Sequence, residues 1–324
     1  MNVAVALAAA LLALASCLAH AQSASFATRP VRIVVPYPPG GGIDVLARAL
    51  APELSTAWGQ PVFVENIAGA GGIIGTEKVS NSPGDGHTLL MATNPAVVGN
   101  RFLFKSLPYD PDTGLAPVTM VLQSGQMAVA HPSLQASSMR ELVELARKSP
   151  GKIAYSSYGN GSQPHLFFEN LAKREGIELL HVPYKGIAPA PTAAIAGEVM
   201  LTIASPNQLG AMVRAGKLKG LAIGVPKRAR DFPEVPTTAE AGFPYATSSI
   251  WYGVLAPGST PQALVERIAR DVGTVARRPD FTEKQITSRG LDLVAGTPSE
   301  FTAAIKAEVV STGDMVKAAG VKPE

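Results

Sequence analysis

The sequence predicts an α/β protein of two domains whose sheets are mainly parallel. Three observations point there. An apolar run, a Gly-rich or polar turn and a segment of helical spacing recur in that order, and strands that alternate with helices pair in parallel. At 324 residues the chain has the length of two ordinary domains. Charged residues are only 16% of it, against 31 glycines and 27 prolines, so tight turns rather than charged tails join the apolar elements. The net charge of +3, with no dense Lys/Arg block, excludes a nucleic-acid footprint and a polybasic membrane patch.

The first element stands apart from the fold. Residues 3 to 19 are almost wholly apolar and lead into Ala19-His20-Ala21, an A-x-A cleavage pattern, so residues 1–21 read as an export signal, although no Lys or Arg precedes the run. Leu14-Ala15-Ser16-Cys17 also resembles a lipoprotein signal, with Cys17 acylated. Cleavage after Ala21 would remove the single cysteine and with it disulfides and Cys catalysis. No later apolar run reaches the roughly 18 residues of a membrane span.

The first unit, "VRIVVPY", "PPGGG", "IDVLARALAPELSTAWG", places Val45, Leu46, Leu50 and Leu54 on one helical face. Its glycines let backbone N–H groups approach a ligand, and the following helix aims its positive end at the same place, which favours an anion. The nucleotide motifs fail: no Lys-Ser or Lys-Thr follows, and Val45 stands where G-x-G-x-x-G needs glycine. "VFVEN" leads through "IAGAGG" to "IIGTEKVSNS", where Gly69, Gly71 and Gly72 shape a turn and Ile74 again breaks the dinucleotide fingerprint. "TLLMATN" ends in Thr93 and Asn94 at the C-terminal sheet edge, where side chains cap a turn or touch a ligand.

Residues 105 to 125 lack period and are rich in Pro, Asp and Gly, the pattern of a connection leaving one domain. Ser138 with Glu141 forms a capping box ahead of "LVELARK". "KIAYSSY" leads through "GNGSQPH" to "LFFENLAKREG", and "LLHVPY" through "KGIAPA" to "PTAAIAGEV". A second break follows "LKGLAIGV", and Thr297, Pro298 and Glu300 open the last helix. If both breaks are crossings, residues 29–122 and 225–324 form one domain, residues 123–224 form an inserted second, and a cleft lies between them. The histidines lack any short metal-ligand spacing, so neither metal nor cofactor is expected.

In order along the chain, "RPVRIVVPYPPGGGIDVLARALAPEL", "GQPVFVENIAGAGGIIGTEKV", "DGHTLLMAT", "YGNGSQPH", "HVPYKGIAPA", "VPTTAEAGFP" and "WYGVLAPGSTP" resemble successive motifs of the Bug proteins, the extracytoplasmic solute receptors of tripartite tricarboxylate transporters. The resemblance implies a type II periplasmic-binding-protein fold that closes on a small carboxylate: a di- or tricarboxylate, an acidic amino acid or an aromatic acid. It implies a periplasmic monomer that delivers its ligand to transporter membrane subunits, or presents the loaded form to a sensor protein. The chain departs from the family pattern at Ile67-Ala68, where a basic residue and proline are usual, and at His87, where Tyr is common.

The resemblance sets two turns against each other across the cleft, Tyr37 to Asp44 with Gly40, Gly41 and Gly42, and Gly159 to His165 with Gly161 and Ser162. Each offers N–H donors at a helix start, and a few charge-assisted hydrogen bonds of about 1.5 to 3 kcal/mol would hold a carboxylate without an arginine. A tight turn needs the same glycines whether or not anything binds. Asp44 repels an anion, so tying down the loop or capping the helix competes with ligand contact. Ser162 and His165 would serve a serine hydrolase as nucleophile and base, or simply cap and pack a helix; no G-x-S-x-G elbow accompanies them. Lys185, beside Gly186, is a direct positive contact or a solvated rim lysine. On the resemblance alone, Ser205 to Asn207 close the cleft floor.

Overall fold

The computed structural model describes residues 26–184 and 189–323. The export signal, Cys17, Lys185 and Gly186 lie outside the described residues. The first stretch of chain forms β1 (Val31–Val35), α1 (Gly42–Trp58), β2 (Val62–Asn66), α2 (Ile73–Ser80), β3 (Thr88–Ala92), a wide helical turn over Pro95–Gly99 that continues as α3 (Asn100–Leu103), and β4 (Leu115–Gly125). The middle stretch forms β5 (Met127–Ala130), α4 (Met139–Lys148), β6 (Ala154–Ser157), α5 (Gln163–Glu175), β7 (Leu180–Pro183), α6 (Pro189–Ala196), β8 (Leu201–Ala204), α7 (Pro206–Arg214) and β9 (Lys219–Ile223). The last forms β10 (Ser249–Pro257), α8 (Gln262–Ala276), α9 (Pro279–Gln285), β11 (Asp292–Leu293) and α10 (Pro298–Ala319).

Two sheets result, ordered β11-β4-β10-β3-β1-β2 and β7-β6-β8-β5-β9. The α/β class in two sheets is as the sequence predicts, but both sheets are mixed rather than mainly parallel. β1 runs parallel to β2 and β3, and β6 to β7 and β8. β10 is antiparallel to β3 and β4, and β5 to β8 and β9. The cause is the route of the chain. It leaves the first sheet along β4 directly into β5 and comes back from β9 into β10, and an outward and a returning strand lying side by side must be antiparallel.

Two backbone hydrogen bonds join these crossings, Gln126 N–H to Ser248 O and Gly224 N–H to Gln126 O, and a third, Ser248 N–H to Gly224 O, closes the returning one on itself, each 2.9 Å. A Cβ on Gly224 would overlap the Ser248 backbone, so the close approach requires glycine. Residues 115–125 depart from the expected irregular connection, because they are an interior strand buried along most of its length. A strand covered on both faces has no alternation to display. Pro117 is tolerated there because the β4–β10 register shifts between Val254 and Leu255, opposite it.

Helices cover both faces of the first sheet. α1 buries Leu46, Leu50, Leu54 and Trp58 on one face with Ile268 and Val272 of α8, and ends at Gly59 with φ 69°, a left-handed cap that suits glycine. α10 seats Phe301 and Ile305 on the other face, Phe301 edge-on to Trp251 at 5.0 Å. In the second sheet's core, Phe167, Phe168 and Leu171 of α5 meet Leu142 and Val143 of α4. Both predicted helix starts are capped by their side chains, at Thr297 by a full capping box and at Ser138 by half of one. Thr297 and Glu300 exchange bonds of 3.2 and 2.7 Å. Ser138 Oγ accepts from Glu141 N–H at 3.2 Å, while the Glu141 carboxylate takes the Ser137 N–H instead of the cap's own. Caps of this kind contribute about 1 kcal/mol each.

Candidate functional site

The turn after β1 is held from within. Gly40, at φ 92°, donates its N–H to Asp44 Oδ2 at 2.9 Å. The buried Asp44 also accepts from Arg48 Nε at 3.1 Å and from Asn66 Nδ2 at 2.9 Å. Burial alone would push this carboxyl up, but the Gly40 N–H, Arg48 and Asn66 together hold it below its ordinary value. The charge is therefore spent inside the loop. The first backbone bond of α1 runs from Val45 N–H to Gly41 O, which leaves the earlier N–H groups without an intrahelical acceptor at an exposed helix start. Tyr37 and Thr93 bond to each other at 2.8 Å between hydroxyls, and burial pushes the Tyr37 phenol up to about 12.

The turn after β6 uses the same device. Gly161 N–H donates to His165 Nδ1 at 3.0 Å, again four residues on. His165 stacks on His181 at 4.2 Å, and His181 Nε2 lies 2.6 Å from Ser157 Oγ, which in turn accepts the Gly159 N–H at 3.1 Å. Burial lowers the His165 pKa; burial, then the neighbouring His165, brings His181 down to about 4. Ser162 Oγ donates to Gly159 O at 2.6 Å, the carbonyl that also accepts the Ser162 N–H at 3.2 Å, and so does not cap α5 through its side chain. Among the described residues no hydrogen bond joins Ser162 to His165, so a nucleophile and base are not assembled.

A cavity of about 330 Å³ opens between the two sheets. From the first sheet's side come Gly42, Val45 and Leu46 of α1, Leu122 of β4, Ile250 and Tyr252 of β10, and Gln285, Arg289 and Leu291. From the second come Tyr158, Pro191, the end of β8 at Ile203 and Ala204, and Ser205, Asn207 and Gln208 at the start of α7, with Gln126 at the crossing. Val45, expected on the core face of α1, is half-buried and faces this space. A second cavity of about 290 Å³ is lined by Asn94, Gly161, Ser162, Gln163, Ser248 and Glu308, and Tyr158 borders both. Burial pushes the Tyr158 phenol up to about 12, against the lowering effect of Gln126 and the Gln163 backbone.

The expected residues are thus divided. Gly42 and Ser205 share the first cavity, while Asn94, Gly161 and Ser162 line the second. Asn94 ties three elements together: its Nδ2 donates to Ser249 O and to Glu308 Oε1, and its Oδ1 accepts the Trp251 N–H. Tyr37, Gly40, Gly41, Asp44, Thr93, Gly159 and His165 line neither cavity. Sequence reasoning passed over Gln126, Tyr158, Tyr252 and Arg289. Strand alternation next to the buried Trp251 was the one available signal for Tyr252; Arg289 follows no local pattern. Among the described residues no three His, Cys, Asp or Glu side chains are placed to hold a metal ion.

Two mixed sheets joined by a paired crossing, with a cavity between their strand ends, define a solute-binding receptor. Residues 46–321 match the family described as the tripartite tricarboxylate transporter family receptor, and the chain belongs to it. Protein BugT of Bordetella pertussis is 34% identical over 96% of this chain and 95% of its own. The solved structure of R. palustris Rpa4515 with adipate is 32% identical, with a TM-score of 0.75 over 92% of this chain and 99% of that one. MatC from Rhodopseudomonas palustris with bound malate is 26% identical, with a TM-score of 0.71 over 89% and 99%. The family is one of receptors, not enzymes.

Proposed function

We propose that the chain binds a small carboxylate in the cavity between Gly42 and Ser205 and delivers it to the membrane subunits of a tripartite tricarboxylate transporter. The observation that carries this reading is the cavity's charge. Among the described residues Arg289 is the one charged side chain lining it, no carboxylate does, and Arg289 has no acidic partner. The N-terminus of α1 at Gly42 adds unpaired N–H groups and the positive end of a helix dipole. Asp44, the one acid nearby in sequence, is neutralised within its own loop. Adipate and malate in the solved relatives belong to the same chemical class.

The same proposal takes residues 29–122 with 225–324, and 123–224, as two domains hinged at the paired crossing. Tyr37, Gly40, Gly41, Asp44, Thr93, Gly159 and His165 then shape the two turns, and Lys185 and Gly186 stay as contacts to be tested by substitution. The protein works in the periplasm, with a mature N-terminus at Gln22. Native mass spectrometry of the protein as purified, followed by a thermal-shift panel of mono-, di- and tricarboxylates, tests the reading. A bound carboxylate recovered unchanged supports it. A panel without any shift, together with an empty native protein, would refute it.

A further inference from the structure

Tyr252 stands out among the residues that line the carboxylate cavity. On β10, alternation turns Trp251 toward Phe301 and Tyr252 toward the opposite face, over the start of α1. Its hydroxyl oxygen lies 2.8 Å from where a Cβ on Gly42 would stand, so glycine at that helix position is what makes room for it. Burial pushes its phenol above the ordinary value, which keeps the O–H protonated at neutral pH. The tyrosine hydroxyl of the first turn is engaged, Tyr37 by Thr93 at 2.8 Å. The Tyr252 hydroxyl has no protein partner among the described residues. An uncommitted donor that lines the cavity beside unpaired helix N–H groups is placed to donate to an anion there.

We infer that Tyr252 reads the carboxylate: its hydroxyl donates to one carboxylate oxygen while the free N–H groups at the start of α1 take the other. This rests on the carboxylate reading and adds to it the residue that sets affinity at this end of the cavity. Because the donor is a neutral hydroxyl on a rigid strand, it holds an anion without a counter-charge, in the way the helix start does. Arg289, on the segment after α9, remains available for a different part of the ligand.

Isothermal calorimetry of wild type, Tyr252→Phe and Gly42→Ala against benzoate, adipate, malate, aspartate and citrate tests the inference, with melting temperatures taken on the same samples. Tyr252→Phe keeps the ring and removes only the hydroxyl. It should weaken the best wild-type binder by about tenfold or more, the scale of a hydrogen bond to a charged group, and leave the melting temperature unchanged. Gly42→Ala puts a methyl against the hydroxyl and improves helix propensity, so binding should fall while the melting temperature holds or rises. That opposition distinguishes a ligand contact from a packing role, and Gly42→Ala carries the test alone if Tyr252→Phe loses its fold. Wild-type affinity in both variants would overturn the inference and leave the carboxylate reading standing. No binding of any probe by the wild-type protein would overturn both.

Discussion

Replacing Asp44 by Ala tests whether the first turn is held by its own carboxylate. The substitution removes the acceptor of three hydrogen bonds, from Gly40 N–H, Arg48 Nε and Asn66 Nδ2. Hydrogen bonds to a charged group contribute about 1.5 to 3 kcal/mol each, so their plain sum is an upper bound. Two features reduce it. Arg48 already donates to Asn66 Oδ1 at 2.7 Å, and its half-exposed side chain keeps that bond when Asp44 is gone. The Gly40 N–H is exposed and can turn to water. What remains is the loss of a buried, bonded carboxylate, about 2 to 4 kcal/mol. Urea unfolding should show that loss, with m unchanged, and calorimetry should show weaker carboxylate binding from a loosened turn. A loss below about 1 kcal/mol with full binding would refute the claim that Asp44 organises the loop. Because the folded pKa of Asp44 is lowered, its stabilisation is present above the ordinary carboxylate value of about 4 and lost as pH falls through the folded value.

The stacked histidines predict a second acid effect. With His181 lowered from 6.5 to about 4, the unfolded chain binds protons first, so stability should decline as pH falls from 6.5 toward 4; a flat melting profile over that window would contradict the geometry. His165→Phe leaves the Gly161 N–H without its acceptor and should reduce that pH dependence, which melts at pH 7 and pH 5 would measure. Gly224→Ala forces a methyl into the Ser248 backbone at the crossing and should destabilise by about 1 to 3 kcal/mol in denaturant unfolding; a neutral result would mean that the crossing strands separate without cost. Gly41→Val sits at φ −72° with open space around its Cβ, so circular dichroism should be unchanged while calorimetry shows weakened carboxylate binding; wild-type affinity would place the ligand away from this turn.

Short-range chemistry could be read directly from the sequence. The strand–turn–helix units, the caps at Ser138 and Thr297 and the glycine turn before α1 all depend on residues within a few positions of one another. The two i to i+4 ties, Gly40 to Asp44 and Gly161 to His165, are also local, and the first was among the roles weighed for Asp44. Tertiary structure alone decided the rest. β4 looked like a connection because burial on both faces removes the alternation by which a strand is recognised. The antiparallel pairs follow from the direction in which the chain crosses between sheets, which no local pattern encodes. Tyr252 and Gly42 are 210 positions apart and meet only because β10 and β1 both flank β3. Arg289, Gln126 and Tyr158 enter the cavity by the same long-range placement. The two turns, both rich in glycine, border different cavities with Tyr158 between them, because the sheet order and not the turn sequence determines what each helix start faces.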